Sequence, residues 1–345
     1  MVAQYRFPHE IFFRILGTLK QSSQNRTQLA LCHSKMLSPF LAIATLPQDG
    51  RLSLDEPVRI MDDAAIMMRL RHPNIPVCWG VLSNENRPCI MREYVHGLNL
   101  DEVRRMATKP IPMEVACSIF SQLCDALCFT YERQRMDGSE MYLVHGNINS
   151  TNILVSVDGY VKLIGFKFDG FSSGIMDGTV RFEAEQRYED LVAQWRQNDL
   201  RSLARALGKL LGVNVSGELN ESGTRRPCDT VPDELRTLIE DVSVDNGKSP
   251  FISLVEFSAR LHRLLSESGR LLSPTELKEW FATAFPRWLS NHLQVTRMLT
   301  HNPALAGLSG LIRTTGEKNV VVPSMDDDED TEYDITIATT VRTKS

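Results

Sequence analysis

Short runs in which apolar and polar side chains alternate fill the first hundred residues: FFRILGTL, TQLALCHS, FLAIATLP, VCWGVL and CIMREYV. A period of two predicts half-buried β-strands, and PQDG at 47–50 and NENRP at 84–88 supply turns between them. One segment breaks the rhythm. DEPVRIMDDAAIMMRLR at 55–71 repeats at helical spacing, and Asp55 and Glu56 suit its first turn. From Asp101 onward the pattern is helical, over 101–108, 112–133, about 198–212, 231–242, 253–267 and 274–298, with a short strand pair near 153–164. A polar loop covers about 214–230. The organisation this predicts is α+β: a sheet-rich lobe at 1–98, a larger helical lobe at 99–268 and a helical extension at 269–313. A tail at 314–345 reads as disordered, because periodicity vanishes and polarity rises there.

Composition narrows the class. Over 345 residues, 42% are hydrophobic and 23% charged, which excludes collagen-like and wholly disordered chains. No apolar run approaches the roughly 18 residues of a membrane helix. Arg6, Glu10 and Arg14 interrupt the N-terminal apolar residues, so no signal peptide is expected and the chain reads as cytoplasmic. The 7 cysteines include no C-x-x-C pair; Cys117, Cys124 and Cys128 recur at helical spacing and read as reduced core thiols, with no metal site. Net charge is -5, and the tail from Thr314, with eight acids against Lys318, Arg342 and Lys344, accounts for all of it. A neutral body without a basic stripe predicts neither nucleic acid nor membrane as partner.

The most specific stretch is VHGNINSTNILVSVDGYVKLIGFKF, residues 144–168. It resembles the segment of protein kinases that runs from the catalytic loop, H-R-D-x-K-x-x-N, to the metal loop, D-F-G. His145 and Asn152 keep the seven-residue interval, and NILV with VKLI reproduces the strand pair between the loops. The flanks agree: RLRHPNIPVCWGV at 69–81, REYVHG at 92–97 and DLRSLARALGKLLG at 199–212 resemble the approach to the fourth strand, the interlobe hinge and the αF helix. The resemblance spans about 11–265 and is nearest in flavour to bacterial eukaryotic-like Ser/Thr kinases. It implies a bilobal kinase-like fold.

The chemistry-bearing positions have changed. Kinases hold Mg²⁺ and phosphate with carboxylates and cations, and orient the attacking hydroxyl with an aspartate. Here the aspartate of H-R-D matches Asn147, its lysine Asn149, and D-F-G reads Gly165-Phe166-Lys167. V-A-I-K matches Leu41-Ala42-Ile43-Ala44, so Ala44 stands where the phosphate-pairing lysine would. Asp63, nine residues before His72, takes the place of its glutamate partner, and Gly17 is what remains of the glycine-rich loop. Asn152 alone could ligate a metal, and one amide oxygen is a poor Mg²⁺ site; hydrogen-bonding the loop is the better reading. Ala42 and Leu154 match adenine-contacting positions that are also ordinary core residues.

Positions whose work is packing survive. The resemblance places His145, Phe166 and Met67 in the hydrophobic column of the fold, and Asp199 beneath the catalytic loop. Arg92 sits just before the hinge, where an apolar residue usually lines the adenine pocket. Either its guanidinium plugs that pocket, pairing with Asp63, or a one-residue slip puts Met91 there and Arg92 at the surface. Glu185 resembles the glutamate of A-P-E without its proline, and its arginine partner falls at Ser249 or Pro250. Ser172, Ser173 and Thr179 are candidate phosphosites. The expectation is a pseudokinase without cofactor, scaffolding or allosterically engaging a protein partner such as an active kinase or another signalling protein. The alternatives are an atypical Ser/Thr kinase or nucleotide-dependent transferase, drawing on Lys35, Lys167 or Asp169, and a metal-independent nucleotide sensor.

Overall fold

A computed structural model describes residues 11–21, 25–34, 38–47, 56–84, 87–134, 141–166, 182–213, 231–244, 252–268, 270–301, 314–315 and 319–320. Two compact units emerge, one formed by residues 1–71, 76–96 and 286–345, the other by 72–75 and 97–285.

The first unit is built on a five-stranded antiparallel sheet in the order β1 (Ile11–Gln21), β2 (Asn25–Ser34), β3 (Phe40–Pro47), β5 (Arg87–Glu93), β4 (Cys78–Asn84). All five strands fall where alternation predicts them. Alternation also sorts the side chains between the two faces. Ala30, Cys32, Ala42, Ala44, Leu46, Cys89 and Met91 cluster together, with Phe13, Ile15, Phe40 and Trp79 against them. Leu16, Leu29, Leu31, Leu41 and Tyr94 form a separate cluster. α1 (Glu56–Arg69) packs along β4 and β5.

The second unit begins with a three-stranded sheet: β6 (Gly97–Asn99), β7 (Ile153–Ser156) and β8 (Val161–Leu163). α2 (Leu100–Met106) starts from a capping box in which Asn99 and Glu102 satisfy each other's backbone N–H groups. α3 (Met113–Tyr131) is the core helix, with Phe120, Leu123 and Leu127 fully buried. It is the one helix among the described residues long and apolar enough to cross a bilayer, and burial inside the unit accounts for that apolarity. Burial also pushes the thiol of Cys117 up to about 12 and that of Cys124 higher still, so both stay protonated.

α4 (Phe182–Leu211), α5 (Asp233–Ser243) and α6 (Leu254–Ser268) complete the helical layer. α4 begins some sixteen residues before the segment that periodicity identifies, because FEAEQRYEDLVAQWRQ is too polar to show a core stripe.

The extension is two helices where the pattern suggests one. α7 (Pro274–Ala284) stops at Phe285, because the residue before a proline is disfavoured in the helical region, and α8 (Pro286–His301) starts on Pro286. The two halves also belong to different units, α7 to the second and α8 to the first. α7 is anchored closely. A Cβ on Gly159, in the β7–β8 turn at φ +82°, would lie 1.7 Å from the Pro274 carbonyl oxygen, so that turn requires glycine. In the segment read as a disordered tail, a two-residue ladder joins β9 (Thr314–Thr315) to β10 (Asn319–Val320); its remainder lies outside the described residues.

Candidate functional site

The loop between α3 and β7 carries the motif residues of the second unit, and Asp199 of α4 sets its shape. The Asp199 carboxylate accepts from the backbone N–H of His145 (2.7 Å) and of Gly146 (2.8 Å) and from the Tyr131 hydroxyl (3.0 Å). Burial dominates its titration and raises it to about 6 despite these three donors. His145 is fully buried. Its Nδ1 accepts from the Asn147 N–H (3.1 Å), which leaves Nε2 to donate to the Ile164 carbonyl (3.1 Å). The ring is therefore a neutral Nε2–H tautomer, and burial depresses its titration to about 3. Phe166 lies against it, ring centroids 4.4 Å apart.

These two residues make stability pH-dependent with opposite signs. As pH falls from 7 to 5, the unfolded chain takes a proton on histidine that folded His145 refuses, a loss of about 2 kcal/mol. Folded Asp199 accepts its proton before the unfolded aspartate does, returning about 1 kcal/mol. A net fall in stability between pH 7 and 5 is expected in urea unfolding, because His145 outweighs Asp199 and half-buried His72, whose titration burial also lowers, adds to the loss. A rise over that interval would contradict the neutral tautomer.

Three asparagines close the loop on itself. Asn147 Nδ2 donates to the Gly165 carbonyl (3.1 Å), Asn152 Nδ2 to the Asn147 carbonyl (2.8 Å) and Asn149 Nδ2 to that same carbonyl (3.0 Å). The Asn149 side-chain oxygen accepts from Thr151 N–H, Thr151 Oγ1 and Asn152 N–H. Each amide nitrogen thus donates within the loop or to its neighbour Gly165, and the Asn149 oxygen accepts three times. Gly165 adopts φ +82°, and a Cβ there would lie 2.8 Å from Asn152 Nδ2. The position that the sequence resemblance matches to the metal-binding aspartate is therefore glycine-shaped, and the Asn152 amide fills the adjacent space. The three asparagines offer a divalent cation only neutral amide oxygens and no carboxylate, a poor donor set for a hard ion. Among the described residues, no cluster of three or more His, Cys, Asp or Glu could hold a metal.

Within the first unit, strand register places the remaining motif residues. Directly paired residues share a sheet face. Ala44 pairs with Met91 and Ile43 with Arg92, so Met91, not Arg92, shares the face of Ala42 and Ala44. Arg92 is half-buried and donates from Nη2 to Thr45 Oγ1 (2.7 Å), while its Nε is shut from solvent without a partner. Its described hydrogen bond thus goes to a hydroxyl; the pairing with Asp63 is not among its described contacts, and neither a plug beside Ala44 nor full exposure describes it. Gly17 lies at the irregular stretch of β1, between two register shifts. Met67 and Asp63 lie on α1, and Leu154 is buried in β7. Glu185 lies in α4, with its side chain undescribed, while Lys35, Lys167, Asp169, Ser172, Ser173, Thr179, Ser249 and Pro250 fall outside the described residues.

The triple-asparagine lock is the feature that sequence reasoning missed. Its signal is the spacing N-x-N-x-x-N at 147, 149 and 152, read above as two separate losses and one retained residue, Asn152, that hydrogen-bonds the loop.

Comparison with known proteins agrees with the architecture. Residues 41–186 match the family model for protein tyrosine and serine/threonine kinases. A sperm motility kinase, W, of Mus musculus is 30% identical over 154 residues, 45% of this chain and 28% of that protein. The tyrosine-protein kinase MasK of Myxococcus xanthus is 22% identical over 235 residues, 60% of this chain and 35% of its own length. The Aurora kinase of Schizosaccharomyces pombe is 26% identical over 163 residues, covering 47% and 43%. The chain spans less than half the length of each of these relatives. With its β-sheet N-lobe and helical C-lobe, the chain has an α+β bilobal protein-kinase-like fold, and the kinases it is similar to include a bacterial one.

Proposed function

We propose that this kinase domain is a pseudokinase, one that engages a protein partner, an active kinase or another signalling protein, and transfers no phosphate. The observation that supports this reading most is the asparagine lock around Gly165. Phosphoryl transfer needs a carboxylate for the metal and a base for the attacking hydroxyl. The corresponding positions here are a glycine at positive φ and an amide already donating to that glycine's carbonyl. Ala44 adds the loss of the lysine that would pair with phosphate. Each such loss typically removes several kcal/mol of transition-state stabilisation, and they fall on separate arms of the mechanism.

The test is ³²P transfer from ATP, with Mg²⁺ or Mn²⁺, to the purified protein and to basic peptide substrates, beside thermal unfolding with millimolar ATP. Neither incorporation nor a midpoint shift is expected. A ligand at a hundred times its Kd would add about 2.7 kcal/mol, so real binding would be visible. Metal-dependent incorporation would replace this reading with an atypical transferase. A midpoint rise with ATP alone would replace it with a nucleotide sensor.

A further inference from the structure

α8 seats on the first unit through a narrow stripe. Its buried side chains are Trp288, His292, Val295 and Leu299, the spacing of one helical face. Val295 and Leu299 join the cluster of Leu16, Leu29, Leu31, Leu41 and Tyr94. Toward its N-terminus the seat turns polar. His292 Nε2 and His96 Nδ1 share a hydrogen bond of 3.1 Å. The His292 ring stacks on Trp288, centroids 4.6 Å apart and planes 11° from parallel, while Tyr94 meets His96 edge-on at 4.8 Å. We propose that α8 is a proton-gated strap, seated on the sheet while His292 is neutral and released when both histidines are protonated.

A hydrogen bond between two imidazoles needs a lone pair on one of them. The neutral pair has one. A single proton, placed on half-buried His96, leaves that ring donating to His292 and keeps the bond. A second proton removes the acceptor and sets two cations edge-on against each other, ring centroids 5.3 Å apart, with the buried His292 ring against Trp288. Burial, with His96 adding to it, holds seated His292 down at about 4, whereas a released ring titrates near 6.5. The released state therefore takes the proton first, and seating weakens as pH falls below 6.5, about tenfold per unit.

The other charges around the seat do not oppose this. Arg14 pairs with Leu31 and Arg92 with Ile43, so both share sheet faces with residues packed at the α8 cluster. Arg287 and Arg297 of α8 are exposed, as is His301.

The experiment is amide hydrogen exchange of the full chain at pH 7.5 and 5.0, corrected for the intrinsic rate, comparing α8 with α3. Protection of α8 is expected to fall about 30-fold relative to α3. In His292→Phe, which keeps an aromatic ring on Trp288 but cannot titrate, the fall should shrink to less than about threefold. His292→Gln serves the same purpose if the phenylalanine variant does not fold. An unchanged α8 in the natural chain, or an equal fall in the non-titrating variants, would overturn the proposal.

Discussion

Asp199→Ala is expected to cost about 3 kcal/mol of stability in the second unit, because it strips the acceptor from one buried and two part-buried donors at once. The His145 N–H, the Gly146 N–H and the Tyr131 hydroxyl all end on this carboxylate. Each orphaned donor costs about 1–3 kcal/mol, less whatever water the cavity admits. Asp199→Asn should recover roughly half. Its oxygen can still serve the His145 N–H and Tyr131, while its NH₂ faces the Gly146 donor. The asparagine variant should also lose the stabilisation that Asp199 contributes as pH falls toward 5, since an amide does not titrate. Urea unfolding of the three proteins at pH 7 and 5 checks both statements. An alanine variant within 1 kcal/mol of the natural chain would mean that the loop keeps its shape without Asp199.

Gly165→Asp, the change that would restore the family's metal-binding carboxylate, is expected to destabilise by about 2–3 kcal/mol and to restore no phosphotransfer. A non-glycine residue at φ +82° costs about 1 kcal/mol or more. The new Cβ would also press on the Asn152 amide and disturb its 2.8 Å bond to the Asn147 carbonyl. Gly165→Ala separates the two effects: it carries the backbone and Cβ cost without a charge, so the two variants should melt within about 2 °C of each other. A Gly165→Asp protein as stable as the natural one, or one that transfers phosphate with Mg²⁺, would show that the lock opens readily. The pseudokinase reading would then fail.

Much of the fold was legible locally. The five strands of the first unit and the helices α1, α2, α3, α5 and α6 lie within a few residues of where alternation and helical periodicity predict them, since each buries one face and its neighbours are polar. His145, Asn152 and Phe166 were legible as motif positions from the spacing of the run at 144–168. Three features were not legible. The first half of α4 lacks an apolar stripe, β6 is three residues long, and the break at Phe285 depended on giving Pro286 its full weight.

The sequence by itself determined the α+β order of elements, the kinase-like motif run and the loss of its carboxylates and lysines. Those are properties of residue type and short-range spacing. Tertiary structure alone decided where the side chains spend their hydrogen bonds. The register of β3 against β5 puts Met91 rather than Arg92 on the face of Ala44, a distinction that turns on a single residue of slip. Folding of the loop turns three asparagines and a glycine into one closed network. α8 reaches His96 from nearly two hundred residues away, a pairing no local pattern encodes because it is selected by packing between segments distant in the chain.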